Sequence, residues 1–180
     1  MTSHVLAAAA LGLLSTSALA QLPIATENTC TAFVDAARQG RHTATEAADG
    51  VFWPPNHSLR AVSISAENDD GDPCNVTITA VAQDEPTTGL GSGNFAPDAA
   101  NCSNAGNTSS VDLRGERAGT GTGRYYTITY TMDDPDAPGQ SKSASASLLV
   151  PHDQGVAHLG TYVDEGPLFQ SADGPIGCSQ

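Results

Sequence analysis

The chain has 180 residues, of which 20 are Asp or Glu and only 7 are Lys or Arg, so its formal net charge is −13 at pH 7. This length suits one domain with a hydrophobic core. Because phosphate binding requires a basic surface, the acidity excludes nucleic acids and anionic membrane surfaces as partners.

The first predicted element is an apolar segment at residues 1–20, which ends in Ala18-Leu19-Ala20. A short apolar run followed by small residues in an A-x-A pattern is typical of a secretory signal peptide. The run is too short for a stable membrane span. We therefore predict a secreted or cell-surface protein with no membrane span in the mature chain. The alternative is an apolar N-terminal arm that the mature protein keeps.

Residues 21–50 form the next predicted segment, an N-terminal arm. Within it, residues 31–49 are compatible with one short helix, which Gly40 interrupts. The same arm is also compatible with one additional strand.

From residue 51 onward, apolar and polar residues alternate with a period of two, which predicts strands with one buried face each. The pattern is seen in "LRAVSISA" (59–66), "NVTITAVA" (75–82), "SVDLRGER" (110–117), "RYYTITYTM" (124–132) and "SASASLLV" (143–150). A further strand is predicted at "HLGTYV" (158–163). Glycine and proline predict hairpin turns at "AGTGTG" (118–123) and "DPDAPGQ" (134–140).

Many short strands with one apolar face each predict an all-β fold, an immunoglobulin-like antiparallel β-sandwich. The sandwich module is assigned to residues 51–155, and a C-terminal strand with a disulfide-tied tail to residues 156–180. The antibody spacing of Cys, Trp and Cys is absent, so membership of the antibody family is not implied.

The chain contains four cysteines outside the predicted signal peptide, namely Cys30, Cys74, Cys102 and Cys178. They lack the C-x-x-C spacing of zinc and redox sites, and an even number in an exported chain indicates two disulfides. Of the three connectivities, we favour Cys74–Cys102, which closes the long central connection, with Cys30–Cys178, which ties the chain ends to the domain.

Six short motifs occur in a fixed order: "WPPNH" (53–57), "DEP" (84–86), "APD" (96–98), "LRGER" (113–117), "GTGTGRYYTITY" (119–130) and "VPHDQG" (150–155). This order resembles a module of large secreted bacterial surface proteins, where it occurs beside hyalin-repeat and other immunoglobulin-like domains. The resemblance covers residues 51–155 and implies an adhesive or structural role rather than a catalytic one.

Acidic residues at strand ends make calcium the candidate cofactor, because calcium prefers six to eight oxygen ligands and exported β domains often bind it there. The candidate ligands are Asp84, Glu85 and Asp98 in the long connection, and Asp133, Asp134 and Asp136 after the Tyr-rich strand. The alternative is ordinary solvated turns, since Asp-Gly and Asp-Pro are common turn sequences.

Arg114, Glu116 and Arg117 lie close together in a chain that has few arginines. An arginine fork can hold a carboxylate in a fixed geometry, so we expect Arg114 or Arg117 to pair with Glu85 or Asp98 and brace the long connection. Trp53, next to two prolines, is either a hydrophobic plug at the end of the sandwich or a platform that stacks on sugar rings.

Four N-glycosylation sequons are present, at Asn56, Asn75, Asn101 and Asn107. No serine-hydrolase, zinc-protease or phosphate-loop motif occurs, so the chain is not expected to be an enzyme. Our first hypothesis is a secreted structural or adhesive subunit that assembles into fibres, with residues 21–35 adding a strand to the sheet of a neighbouring copy. The alternative is a carbohydrate-binding module that binds surface glycans through Trp53.

Overall fold

A computed structural model of the chain describes residues 26–36, 48–89, 94–153, 162–172 and 178. All helix and strand residues in these ranges are strand residues, so the all-β prediction is confirmed. The short helix suggested for residues 31–49 is wrong at residues 31–36, which form a strand, while residues 37–47 lie outside the described ranges. Within those ranges there is no helix that could cross a bilayer.

The described residues form nine strands: β1 (Thr31–Ala36), β2 (Gly50–Val51), β3 (Leu59–Glu67), β4 (Pro73–Gln83), β5 (Ala99–Ala105), β6 (Thr108–Arg114), β7 (Gly123–Asp133), β8 (Ser141–Pro151) and β9 (Phe169–Gln170). The five segments with clear alternation correspond to β3, β4, β6, β7 and β8. Strand β5 was not predicted, because its sequence does not alternate. The strand predicted at residues 158–163 lies mostly outside the described residues, and Tyr162 and Val163 are not in a strand.

The strands form two groups that meet at the connection between β3 and β4. One group has the order β1-β3-β6-β5 and the other β2-β8-β7-β4-β9. Strands β3 and β4 pair only at Ala66–Cys74 and Glu67–Pro73, which joins the groups at one corner. Every pairing among the described strands is antiparallel except that of β2 with β8, so the fold is a mixed sheet.

The larger of two hydrophobic clusters among the described residues is the core between the two groups. The period of two directs alternate side chains of each strand inward, and side chains from both groups therefore belong to the same buried cluster, including Val62, Ile64, Val76, Ile78, Leu113, Tyr126, Ile128 and Leu148. This arrangement is consistent with the predicted β-sandwich.

Of the two predicted hairpin turns, the structure confirms one and contradicts the other. Residues 134–140 do connect β7 and β8, which pair along their whole length. Residues 118–123 do not close a hairpin, because β6 pairs with β3 and β5, whereas β7 pairs with β4 and β8. The glycine-rich segment instead carries the chain from one group of strands to the other.

The predicted disulfide pairing is wrong: the structure has Cys30–Cys74 and Cys102–Cys178. The reason is strand order. Strand β1 lies against β3, with Thr31 opposite Glu67, and this register brings Cys30 to the corner where β3 meets the start of β4 at Cys74. Cys102 lies on the edge strand β5, where it is buried and receives Cys178.

Candidate functional site

The predicted metal ligands lie at the two ends of β7. Asp84, Glu85 and Asp98 surround its start, whereas Asp133 is its last residue and Asp134 and Asp136 follow it. A strand of 11 residues spans roughly 35 Å at 3.3 Å per residue. The six residues therefore cannot form one site. We call the first group and its surroundings the arginine end, and the second group with residues 67–72 the acidic end.

The centre of the arginine end is Arg124, whose side chain is fully buried. Its Nη1 donates to Asp98 Oδ2 at 2.7 Å and its Nε to Glu85 Oε2 at 3.3 Å. Arg124 is not among the site residues predicted from the sequence, although the sequence carries a signal for it. Arg124 has the same parity as the inward-facing Tyr126 and Ile128, so the alternation itself assigns an arginine to the buried face.

The carboxylate of Asp98 is also fully buried and has several partners. Gln83 Nε2 donates to its Oδ2 at 2.8 Å, and Arg114 Nε lies 3.5 Å from its Oδ1. Burial raises the pKa of Asp98 above its ordinary value, although the Gln83 amide and the Arg124 guanidinium favour the charged form. The cluster is therefore held by paired and hydrogen-bonded charges inside the protein.

Arg114 lies beside Asp98, as the bracing hypothesis requires, whereas Arg117 contacts a different part of the chain. Arg114 donates to the carbonyl of Pro97 at 2.7 Å and to that of His57 at 2.7 Å, so it ties two connections to the end of β6. Arg117 instead donates to the carbonyl of His152 at 3.1 Å. Glu116 is fully buried, and its Oε2 lies 3.0 Å from His57 Nδ1.

The carboxylate oxygens of Asp84 and Glu85 accept hydrogen bonds from backbone N–H groups of the protein. Asp84 Oδ1 accepts the Tyr125 N–H at 2.9 Å, and Glu85 Oε2 accepts the Ala118 N–H at 2.6 Å. Burial, together with the nearby charges of Glu85 and Asp164, raises the pKa of Asp84 to about 6, against the opposing effect of the Tyr125 hydrogen bond. These contacts pin the long connection to the start of β7.

The raised pKa predicts the pH dependence of an Asp84→Asn variant. Because the folded chain holds this proton up to about pH 6 and the ordinary pKa is 3.8, ionisation of Asp84 lowers stability as pH rises through that window. Asn cannot ionise and still accepts the Tyr125 N–H. We expect the variant to gain roughly 1–2 kcal/mol relative to wild type between pH 4 and pH 7, since water screens part of the effect. Urea unfolding across this pH range measures the gain, and a stability difference that does not change with pH would contradict the raised pKa.

At the acidic end, Asp134 is a buried cap for the surrounding backbone. Its Oδ2 accepts the Thr29 N–H at 3.0 Å, and its Oδ1 accepts the Asp136 N–H at 3.0 Å and the Asn68 amide at 3.2 Å. The hydrogen bond from Thr29 is the main cause that lowers the pKa of Asp134. A strand that ends in three carboxylates is tolerated here because the central one binds backbone N–H groups.

Asn68 joins two acidic turns that are far apart in the sequence. Its Nδ2 donates to Asp136 Oδ2 at 2.8 Å, while its Oδ1 accepts the N–H of Asp72 at 2.8 Å and of Asp70 at 3.1 Å. Exposed carboxylates therefore gather at one end of the domain, from Glu67, Asp69, Asp70, Asp72, Asp133 and Asp136. Such a surface attracts cations and repels other acidic molecules.

Neither predicted ligand set forms a compact metal geometry. In the described part of the chain, only Cys30, Cys74 and Asp134 bring three metal-binding groups within 4.8 Å of one another. Both sulfurs of that set are in the disulfide, so they do not offer thiolate ligands. Calcium binding stays a prediction, and the acidic end is the place where the described residues gather exposed carboxylates most densely.

Trp53 is half-buried, and its carbonyl accepts a hydrogen bond from Arg60 Nη1 at 2.7 Å. Phe95 has an exposed ring, and its centroid lies 4.6 Å from that of the His57 ring. Carbohydrate binding through Trp53 therefore stays a prediction. The four sequon residues are all exposed: Asn56, Asn75, Asn101 and Asn107.

Comparison with known proteins found no matching family model, no matching curated protein and no matching solved structure.

Proposed function

We propose that this protein is a secreted structural or adhesive module of the cell surface or extracellular space, which self-associates by β-strand addition. We further propose that the sandwich is immunoglobulin-like, which the motif resemblance supports, and that the chain is not an enzyme.

The observation that carries the proposal is the position of the two disulfides. Cys30–Cys74 ties the segment before β1 to the start of β4, and Cys102–Cys178 ties the C-terminal segment to β5. Disulfides persist in oxidising compartments, so this pattern is compatible with an extracellular protein. Two cross-links between segments that are 44 and 76 positions apart stabilise the folded domain against unfolding, which suits a structural module.

The arginine end supports a structural role as well. Its charged side chains contact one another and backbone carbonyls: Arg124 binds Asp98 and Glu85, and Arg114 binds Pro97 and His57. Arginine forks held in this way fix loops in place. The cluster therefore acts as a brace between β7 and the connections around it.

Calcium has its place in the proposal at the acidic end. A chain with a net charge of −13 repels its own copies, and a cation bound among the exposed carboxylates of the two acidic turns would reduce that repulsion. Calcium would then favour association without being part of the strand pairing itself.

The predicted donor arm is partly used within the chain. Residues 31–35 belong to β1, which pairs with β3 of the same chain, and residues 21–25 lie outside the described ranges. Strand addition by this arm therefore requires that β1 leaves its own sheet and enters that of a neighbouring copy.

Sedimentation velocity in calcium and in chelator, at equal ionic strength, tests the proposal. We expect the wild type to form dimers or larger assemblies in calcium and to dissociate in chelator. Asp133→Asn should weaken the calcium response, because it removes an exposed carboxylate of the acidic end. The matched control is Glu165→Gln, which removes an exposed carboxylate outside the acidic end and outside β1, and it should respond as wild type does. A chain that stays monomeric in both conditions would overturn self-association.

A further inference from the structure

Within the described residues, strand β8 has one edge that is open over half of its length. On one side β8 pairs with β7 from Ser141 to Pro151. On the other side β2 pairs with Leu148 and Leu149. Asp49 extends this cover by one residue, because its N–H donates to the Ser147 carbonyl and its side chain accepts the Ser147 N–H.

These contacts show which backbone groups point outward. The backbone groups of Ser147 and Leu149 point toward β2. The Phe52 N–H, for example, donates to the Leu149 carbonyl at 2.8 Å. Because peptide groups alternate along a strand, Ser141, Ser143 and Ser145 present theirs to the same side. Among the described residues, no group pairs with these peptide groups. They form an edge of the kind that accepts another strand.

The edge is neutral in a strongly acidic protein. The ten residues from Ser141 to Val150 include no carboxylate, although the chain has 20. The charged residue in this run, Lys142, donates its ammonium to the Cys30 carbonyl at 2.8 Å, so it is tied back to the protein. Proline, bulges and free charges, which commonly block an edge, do not occur between Ser141 and Ser147.

We propose that β8 of a second copy pairs antiparallel with this edge, centred on Ser143, so that the strands of two copies form one continuous sheet. The inference rests on the proposed self-association and gives β8, in place of the arm at residues 21–35, as the segment that pairs. Two copies of a chain with a net charge of −13 repel each other least where both present a segment without carboxylates, so the partner segment should be extended and free of carboxylates. The β8 edge of another copy meets that requirement.

The geometry of this contact sets the size of the assembly. The same segment is used on both copies, so the contact is two-fold symmetric and closes at a dimer. Ser141 of one copy lies opposite Ser145 of the other, and the two copies of Ser143 lie opposite each other. The outward-facing Thr127, Thr129 and Thr131 of β7 continue this neutral surface on each side. Fibres would need a second, different contact.

A cysteine trap tests the pairing directly. In a hydrogen-bonded antiparallel pair the two Cα atoms are about 5.5 Å apart, which suits a disulfide. We expect Ser143→Cys to form a covalent dimer on mild oxidation, in which mass spectrometry finds the two substituted positions joined to each other. The matched control is Ser110→Cys on β6, a half-buried position in the interior of the other sheet, which should stay monomeric on a non-reducing gel.

A charge variant tests the β8 contact separately from self-association in general. Ser143→Asp places two carboxylates opposite each other and should raise the dimer Kd by about fivefold or more, while Ser110→Asp should not. Both variants are checked for the wild-type circular dichroism spectrum. If wild type associates and Ser143→Asp associates equally well, the β8 contact is wrong and self-association stands. If wild type is monomeric and Ser143→Cys forms no covalent dimer, both are overturned.

Discussion

Replacing Arg124 with Met is expected to lower the free energy of unfolding by about 3–5 kcal/mol, because it leaves buried carboxylates without their cation. Asp98 Oδ2 lies 2.7 Å from Arg124 Nη1, and both side chains are fully buried. Met preserves most of the apolar stem of arginine, so the loss reports the charge and its hydrogen bonds rather than a cavity. Urea unfolding at pH 7 measures the change.

The control for this prediction is Arg117→Met. Arg117 donates to the carbonyl of His152 and is half-buried, so its replacement should cost about 1 kcal/mol. A second comparison uses Arg124→Met combined with Asp98→Asn, which removes both charges and should be less destabilising than the sum of the single changes. Equal losses for Arg117→Met and Arg124→Met would show that the buried cluster is not the main brace.

Removing the Cys102–Cys178 disulfide by a double change to Ala is expected to lower the free energy of unfolding by about 4–5 kcal/mol. The two residues are 76 positions apart, and cross-linking such a long loop greatly reduces the conformational entropy of the unfolded chain. The other disulfide, Cys30–Cys74, spans 44 positions and should contribute about 4 kcal/mol on the same argument. Urea unfolding of the two double variants, without reductant, gives both values.

Mass spectrometry of a non-reduced digest checks the pairing that this prediction assumes. Peptides that link Cys30 with Cys74 and Cys102 with Cys178 are expected, and both should disappear on reduction. A peptide that links Cys74 with Cys102 would contradict the register of β1 against β3, from which the observed pairing follows.

The candidate site could be predicted only in part. Arg114 or Arg117 is predicted to pair with Glu85 or Asp98, because arginine is scarce in this chain and a fork suits a carboxylate. Of these pairs, the structure places Arg114 3.5 Å from Asp98. The central residue, Arg124, was missed because an arginine on an alternating strand is usually read as solvent-facing. Its parity with Tyr126 and Ile128 indicates burial, since every second residue of a strand faces the same side.

The acidic end shows why composition alone does not define a site. The turns around Asn68 and Asp134 are separate in the sequence, with no spacing that relates them. They meet because β3 and β4 pair at their connection while β4 and β7 pair along their length, with Asn75 opposite Asp133. Contacts between residues 66 positions apart, such as Asn68 with Asp134, depend on strand order, which local patterns do not encode.

The sequence by itself determined the strands β3, β4, β6, β7 and β8 and most of the residues on their buried faces, because the period of two is a local property of the backbone and of side-chain hydrophobicity. Only the tertiary structure decided which strands pair, which cysteines meet, and which charges share an interior. Those outcomes depend on register and strand order, which arise from packing the whole chain around one core.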